Sequence, residues 1–456
     1  MNSETAKPSA QFPVGESQRA PSAVPGPTPT PTRAPTREVI AWALYDWANS
    51  AFATTVMAGF FPVFYSAVSV GLDAEQSQFW FNIALAVSSL LIGISGPMLG
   101  VIADRGGWRQ GFLAGFAAVG ILATAALAWI HSGQWVMALL LYATASIGFA
   151  GGNVFYDSLL PQVARGRNMD RVSALGYALG YGGGGLLFAL NVVMVLEPAR
   201  FGLADQGAAV RASFLSVSVW WLLFSLPVLL MVRPARAAQA AGGAQTSVWN
   251  GAWRQLWETL RAIRAERMLM VFLIAYWLYI DGVNTVIKTA VFFGDRVLGL
   301  DQSGLITALL LTQFVALPSA LLFGWVGQRI GARTGILIGL GVYLFVVFYA
   351  WAFLESSRDF YLLAVAIGLV QGGVQSLSRS LFATLVPIGK SAEYFGVFNL
   401  VGKFATVLGP LLMALTPLVF VAAGPRSSIL SLALLFLVGG GLLLQLPRRP
   451  LPQGGA

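Results

Sequence analysis

Long apolar runs separated by short polar intervals fill the chain from about residue 38 onward. Many runs hold about 20 residues or more, and at about 1.5 Å rise per residue each helix spans a hydrocarbon core of roughly 30 Å. The pattern predicts an all-α polytopic membrane protein with twelve transmembrane helices. In chain order the predicted helices are 38–68, 77–103, 109–131, 134–157, 171–196, 211–232, 267–294, 302–327, 333–354, 359–385, 393–419 and 426–446.

The polar intervals divide the chain into predicted domains. Residues 1–37 are rich in Pro, Ser, Thr and Ala with almost no large apolar side chains, which predicts a disordered tail without the pattern of a signal peptide. The longest internal interval, 233–266, separates six helices in 38–232 from six in 267–447. A short tail, 448–456, follows.

The linker 233–266 contains an amphipathic segment, "SVWNGAWRQLWETLRAIRAER". At helical spacing its apolar side chains share one face while Arg and Glu lie largely off it, a pattern typical of a helix at the cytoplasmic membrane interface. Docking of a partner protein is the alternative that this pattern favours less. The apolar face is formed by Trp249, Trp253, Leu256, Trp257, Leu260 and Ile263.

Composition supports the membrane assignment and excludes several function classes. The chain is 57% hydrophobic and 10% charged, with a mean hydropathy of +0.72, whereas a soluble domain carries about 25% charged residues. The net charge of +9 is scattered between apolar runs, so no nucleic-acid partner is expected. With no cysteine, one histidine (His131) and no nucleophile–base pair or phosphate-cradling loop, we expect no enzyme activity, metal site or cofactor.

The basic residues predict the orientation. With the N-terminus in the cytoplasm, the cytoplasmic segments hold 20 Lys and Arg residues and the opposite loops hold 5. Such a bias places both termini in the cytoplasm. The remaining three cations, Lys288, Arg379 and Lys403, fall inside predicted helices.

The two halves repeat each other. The loop "GVIADRGGWR" (100–109) matches "GWVGQRIGAR" (324–333) at a constant offset of 224 residues. Helices 1 and 7 each carry an Asp, an Asn three residues later and then a hydroxyl residue, as "DWANS" and "DGVNT". Two parallel halves with polar residues at matching depths are typical of an alternating-access transporter.

The 100–109 loop is predicted to act as a conformational latch, with contacts that hold one state and break in the other. Gly100 and Gly107 permit a tight turn and close helix approach, and Asp104 is expected to face the N-terminus of a neighbouring helix. Arg105 and Arg109 complete the loop. Asp157, at the cytoplasmic end of helix 4, is expected to pair with one of these two arginines. Because Gln328 replaces the acid in the second loop, only the first should form a charged latch.

Ionisable and polar side chains inside the helices are the candidates for solute binding or coupling, since such groups usually face a cavity. We place the cavity between helices 1, 4, 5, 7, 10 and 11. For the acids and amides the alternative is helix packing, and for the cations it is internal ion pairing without a ligand. Arg379 suits a carboxylate because it binds bidentately. The candidates are Tyr45, Asp46, Asn49, Tyr177, Tyr181, Asp281, Asn284, Lys288, Arg379 and Lys403.

Several segments resemble one family. The 100–109 loop resembles the signature loop of the major facilitator superfamily, "G-x-x-x-D-R-x-G-x-R". The remaining segments resemble its bacterial branch related to the fungal vacuolar amino-acid effluxer of autophagy. The resemblance implies a twelve-helix facilitator fold, secondary transport and a monomer, and it implies no settled substrate for bacterial members. The matching segments are "YDWANSAFATTV", "VFYDSLLPQVA", "ALGYALGYGGGG", "YIDGVNTVI", "QGGVQSLSRSLFATLVP" and "EYFGVFNLVGKFATVLGPLL".

These observations lead to one leading hypothesis. The chain is expected to be a secondary transporter in the bacterial inner membrane that moves a small polar solute, an amino acid first and in the direction of efflux. Proton coupling through Asp46 or Asp281 is a further expectation, since a buried carboxylate can exchange a proton. The alternatives are a facilitator for sugars, nucleosides or peptides, and a non-transporting sensor or scaffold on the same fold.

Overall fold

The computed structural model describes residues 35–233, 251–296, 298–387, 389–419 and 427–447. Most of the predicted N-terminal tail, the first part of the linker and the C-terminal tail lie outside these residues. The described residues are helical apart from turns and short connections. They belong to one unit, 33–456.

The first part of the chain builds eight α-helices. Asp and Asn side chains accept a backbone N–H at the N-termini of α3, α7 and α8, which explains where these helices begin. The helices are α1 (Thr36–Ala51), α2 (Phe61–Val68), α3 (Ala74–Gly106), α4 (Arg109–Ala126), α5 (Trp135–Ser158), α6 (Leu160–Val163), α7 (Met169–Leu196) and α8 (Gln206–Met231).

The second part adds nine. Asp301 caps α11, and Ser356 with Asp359 forms a capping box at α13. The helices are α9 (Ala252–Ala265), α10 (Arg267–Arg296), α11 (Gln302–Ile330), α12 (Ala332–Ala352), α13 (Ser357–Leu385), α14 (Ser391–Phe404), α15 (Leu408–Val419), α16 (Ser427–Leu430) and α17 (Ala433–Leu443). The predicted amphipathic helix of the linker corresponds to α9.

Eleven segments of the described chain are long and apolar enough to cross a membrane. They correspond in order to the first eleven predicted helices. At the position of the twelfth, 426–446, the structure has the shorter apolar stretch Ser427–Leu443. The twelfth span therefore stays a prediction.

The first membrane span contains a π-helical segment, Phe52–Phe60, between α1 and α2. Pro62 lies directly after this segment, in the first turn of α2. A proline inside a continuous α-helix has no N–H to donate and its ring clashes with the carbonyl four residues earlier. The wider turn removes that conflict, and it includes Ala53, Thr54 and Ala58, which face the central cavity.

The predicted eleventh helix, 393–419, corresponds to the span Ser391–Thr416, but this span is broken, because α14 ends at Phe404 and α15 begins at Leu408. The carboxylate of Asp281 accepts hydrogen bonds from the backbone N–H groups of Val407 (3.1 Å), Leu408 (2.8 Å) and Gly409 (2.9 Å). Asn284 donates to the carbonyl of Ala405 at 2.9 Å. Two side chains of α10 thus satisfy the backbone groups that the break exposes.

Two helix pairs join the first and second parts of the chain at one end of the bundle. On α3, a Cβ at Gly100 would lie 2.8 Å from the Cα of Glu393 on α14. On α11, a Cβ at Gly324, the matching repeat position, would lie 2.5 Å from the Cβ of Ala174 on α7. Both repeat glycines therefore mark a close helix crossing, and we call this end of the molecule the latch end.

Candidate functional site

An ion cluster drawn from three helices lies inside the bundle. The Nη1 atom of Arg379 on α13 lies 3.0 Å from an Asp157 oxygen on α5 and 3.4 Å from an Asp46 oxygen on α1. The arginine side chain is only 2% exposed, and those of Asp46 and Asp157 are 13% and 12% exposed. Two carboxylates thus share one guanidinium.

The guanidinium of Arg379 is also held by α7 and by aromatic rings. It donates to the hydroxyl of Ser173 at 3.0 Å and to the carbonyl of Ser173 at 2.8 Å. Its Cζ lies 4.3 Å from the ring centroid of Tyr177, 5.0 Å from that of Trp42 and 5.3 Å from that of Tyr156. Cation–π contacts in a desolvated site stabilise a buried positive charge. Arg379 is therefore fixed in position before any solute arrives.

The carboxylate of Asp46 is positioned from two sides. The hydroxyl of Tyr156 donates to it at 2.9 Å, and the indole N–H of Trp42 in turn donates to the carbonyl of Tyr156 at 2.9 Å. On the other side, a Cβ at Gly176 would lie 2.9 Å from both the Asp46 oxygen and the Arg379 Nη2. Only glycine lets α7 approach the cluster so closely.

The cluster forms one wall of a polar cavity of about 1110 Å³, including its part open to solvent. The six helices that were predicted to surround the cavity, numbers 1, 4, 5, 7, 10 and 11 of the predicted set, all contribute to its lining. A seventh, α11, which is number 8 of the predicted set, contributes as well. Six amide side chains also line the cavity, and several bond to one another or to the cluster, as from Asn399 to Asp157 at 3.3 Å. The amides are Asn49, Asn153, Gln313, Gln371, Gln375 and Asn399.

A second, apolar chamber of about 1000 Å³, including its part open to solvent, adjoins the polar cavity within the second part of the chain. The two share Ile287, Leu309, Gln313 and Gln371. The side-chain oxygens of both glutamines are buried, and none of the described residues donates a hydrogen bond to either. Together the two spaces offer hydrogen-bond acceptors and an apolar surface side by side.

The structure brings some predicted residues together and separates others. Asp46, Asn49, Tyr177, Tyr181 and Arg379 line the polar cavity. A sixth, Tyr45, is fully buried behind it and packs on Tyr156 with ring centroids 5.1 Å apart. These residues come from helices 1, 5 and 10 of the predicted set.

Four predicted residues do not line the polar cavity. Asp281 and Asn284 bind backbone groups at the break between α14 and α15, as described above. Lys288 is exposed and Lys403 is half-buried. Asp46 and Asp281 therefore occupy matching sequence positions but have different structural roles.

The predicted latch residues meet at the latch end. The carboxylate of Asp104 accepts the backbone N–H groups of Ala392 (3.2 Å) and Glu393 (3.0 Å) at the N-terminus of α14, where the helix dipole favours negative charge. Arg109 pairs with Asp104 at 2.6 Å. Gly107 ends α3 at a φ of 67°, and Arg105 bonds to α9.

The predicted pairing of Asp157 with Arg105 or Arg109 is wrong. Both arginines are engaged at the latch end, the first by α9 and the second by Asp104. Asp157 instead points into the bundle toward Arg379. It is a residue of the cavity.

Several residues of the site were not among the predictions. Trp42, Tyr156 and Ser173 surround the cluster, and five of the six cavity amides, all except Asn49, were missed. A signal for the amides exists in the sequence, because an amide inside an apolar span is costly unless it has a partner or faces a cavity. Among the described residues, no group of three or more His, Asp or Glu side chains is placed to hold a metal ion.

Comparison with known proteins shows the family of the chain. The family described as "Vacuole effluxer Atg22 like" matches residues 75–169 and 166–449. An uncharacterized MFS-type transporter of Bacillus subtilis, YxiO, is 37% identical over 410 residues, which cover 89% of this chain and 94% of that protein. The chain belongs to the Atg22-like family. It is an integral membrane transporter of the major facilitator type.

More distant comparisons show the same fold. Autophagy-related protein 22 of Kluyveromyces lactis is 24% identical over 66% of this Atg22-like chain, and the match spans 65% of the fungal protein. The transporter FucP, solved in the outward conformation, superimposes with a TM-score of 0.62 at 13% identity, covering 91% of this chain and 100% of FucP. At this identity the likeness shows the fold alone.

Proposed function

We propose that this protein is a secondary transporter that moves an amino acid out of the bacterial cell across the inner membrane by alternating access. The observation that carries the proposal is the cavity in which Asp46, Arg379 and Asp157 form a buried ion cluster. Ionisable groups at membrane depth are costly and typically mark a solute or ion pathway. The cavity lies at the meeting point of helices from both parts of the chain, where facilitator folds bind their solutes.

The charges of the cluster favour a solute with a protonated amino group. The cluster holds two carboxylates and one guanidinium, and four hydrogen bonds of that guanidinium already go to protein atoms. A solute ammonium supplies the missing positive charge. Cavity amides donate to the solute carboxylate. The apolar chamber leaves room for an apolar side chain.

The alternation itself is proposed to occur between two six-helix halves, 38–232 and 267–447. In this structure the α3–α14 and α7–α11 crossings are closed at the latch end. Asp104 holds the first crossing through the N-terminus of α14, and opening must break that contact. With both termini in the cytoplasm, as the distribution of Lys and Arg indicates, the latch end faces the cytoplasm and this conformation is closed on the cytoplasmic side.

Proton coupling is part of the proposal, with Asp46 as the carboxylate that exchanges the proton. Asp281, the second acid predicted for this role, is held by three backbone N–H groups and is the weaker candidate. Reconstituted protein should therefore acidify or alkalise the vesicle lumen when the solute is added. A solute-driven pH change that survives Asp46→Asn and Asp281→Asn together would rule this coupling out.

A binding screen tests the choice of solute. Purified protein is heated with amino acids, sugars, nucleosides or dipeptides, because a ligand that binds only the folded state raises the melting temperature. We expect an amino acid to raise it in the wild type and in Glu197→Gln, a charge-matched control at an exposed ion pair. Asp157→Asn should lose the shift. A shift with sugars, nucleosides or dipeptides but no amino acid would contradict the proposed solute.

A further inference from the structure

The helix α9 lies where α3 ends and α10 begins. Its buried face, which includes Ala252 and Leu256, packs against Val101 and Ile102 in the last turns of α3. At its other end only Glu266 separates α9 from α10, which is a membrane span. These two attachments place α9 at the level where membrane helices leave the apolar layer.

The outward face of α9 has the chemistry of a membrane surface. Trp253 is 54% exposed and Trp257 is 60% exposed, one turn apart. Arg254, Arg261 and Arg264 are exposed on the same helix. Tryptophan prefers the headgroup level of a bilayer, and arginine near the surface is attracted to anionic lipids.

One side chain of α9 joins the two helices that close the latch end. Arg105 of α3 donates to the side-chain oxygen of Gln255 and to the carbonyl of Gly251 (3.0 Å). The amide nitrogen of Gln255 donates to Glu393 of α14 at 3.1 Å. When α3 and α14 separate, Gln255 can keep only one of these two partners. The position of α9 is therefore coupled to closure.

We propose that anionic lipid headgroups hold α9 on the membrane surface and thereby stabilise the conformation closed at the latch end. The lipid acts through Gln255, which stays between Arg105 and Glu393 only while α9 keeps this position. The inference rests on the proposed alternation between two conformations, and it adds that lipid composition sets their balance. Charge selects this occupant, since the outward face of α9 carries three arginines and one acid, Glu258, which pairs with Arg254 at 3.1 Å and leaves the face net positive.

The absence of cysteine from the chain makes the test direct. Spin labels at Arg165→Cys and Ile330→Cys, both exposed near the latch end, report the distance between the first and second parts of the chain. The full-length protein is placed in nanodiscs of phosphatidylcholine alone or mixed with phosphatidylglycerol. If the attraction of one arginine is coupled to closure, the ratio of closed to open molecules should rise about fivefold with the anionic lipid.

Two variants separate lipid binding from coupling. Combined Arg254→Gln, Arg261→Gln and Arg264→Gln should remove the response to the anionic lipid. Gln255→Ala should also remove it, because the hydrogen bonds that join Gln255 to Arg105 of α3 and Glu393 of α14 are lost while the outward face of α9 is intact. Arg200→Gln and Arg358→Gln remove exposed positive charge elsewhere and should keep the full response.

The outcomes distinguish this inference from the proposed function. If both conformations are present and their ratio is the same in the two lipid mixtures, the lipid inference alone is overturned. A full response to the anionic lipid in Gln255→Ala would overturn it as well, since α9 would then be coupled to closure without the contacts of Gln255 to Arg105 and Glu393. A single conformation in both lipids and in every variant would overturn the alternation and this inference together.

Discussion

Replacing Gly100 by alanine should open the latch end. The added Cβ would lie 2.8 Å from the Cα of Glu393, whereas ordinary contacts of this kind begin at 3.4 Å. The atoms it meets belong to the backbone of α14, so no side chain can turn away. Either α14 moves by more than half an ångström or the two helices separate. The backbone N–H groups that donate hydrogen bonds to Asp104 belong to the same turn of α14, so a movement of this turn disturbs those bonds as well.

The size of the effect follows from this geometry. Forcing an extra methyl into a packed interface costs about 1–3 kcal/mol. The cost applies only to the conformation in which α3 and α14 touch. The ratio of closed to open molecules should therefore fall about 5- to 150-fold.

Label distances across the latch end, between Arg165→Cys and Ile330→Cys, measure this ratio. Gly111→Ala is the matched control, because the described residues place no atom within 4 Å of the Cβ it would add, apart from the backbone of its own helix and its chain neighbours. We expect a longer distance to gain population in Gly100→Ala and the distribution to stay unchanged in the control. Identical distributions in the two variants would refute the idea that the crossing at Gly100 is the closure.

Two further predictions concern buried carboxylates, and thermal unfolding of purified protein measures both. Asp281→Ala leaves three backbone N–H groups without their acceptor and should cost about 2–4 kcal/mol of stability, clearly more than the loss of the exposed helix cap in Asp301→Ala. An unchanged melting temperature combined with lost solute binding would instead make Asp281 a solute ligand. Arg379→Ala leaves Asp46 and Asp157 facing each other unpaired and should cost about 3–5 kcal/mol. Adding Asp157→Asn should restore part of that loss, and simple additivity of the two changes would contradict the shared cluster.

Much of the fold could be predicted because the membrane restricts which sequences can form its spans. A span must be apolar over its full length and satisfy its own backbone, so runs of hydrophobic residues mark helices. The break in 393–419 was missed because the residues at the break, Ala405 to Val407, are ordinary in a helix. A signal was nonetheless present, since Pro410 in the first turn of α15 favours a helix start.

The site was only partly predictable. Asp46 and Arg379 stand out as charges inside apolar runs. Their partner Asp157, however, is 222 residues from Arg379, and whether it points at the loop arginines or into the bundle depends on how α5 is rotated in the packed structure. The repeat suggested equal roles for Asp46 and Asp281. A repeat shows that two residues have matching backbone positions, while their partners come from different helices.

Solute exchange through reconstituted protein tests the central claim most directly. Proteoliposomes are loaded with unlabelled amino acids, and entry of each labelled amino acid from outside is followed. We expect the wild type and the surface control Glu197→Gln to accelerate the entry of at least one amino acid. Asp46→Ala and Asp157→Ala should each slow it about tenfold or more, as for the loss of a buried charged partner. No accelerated entry of any amino acid, or entry at the wild-type rate in Asp46→Ala and Asp157→Ala, would contradict an amino-acid transporter that works through this cluster.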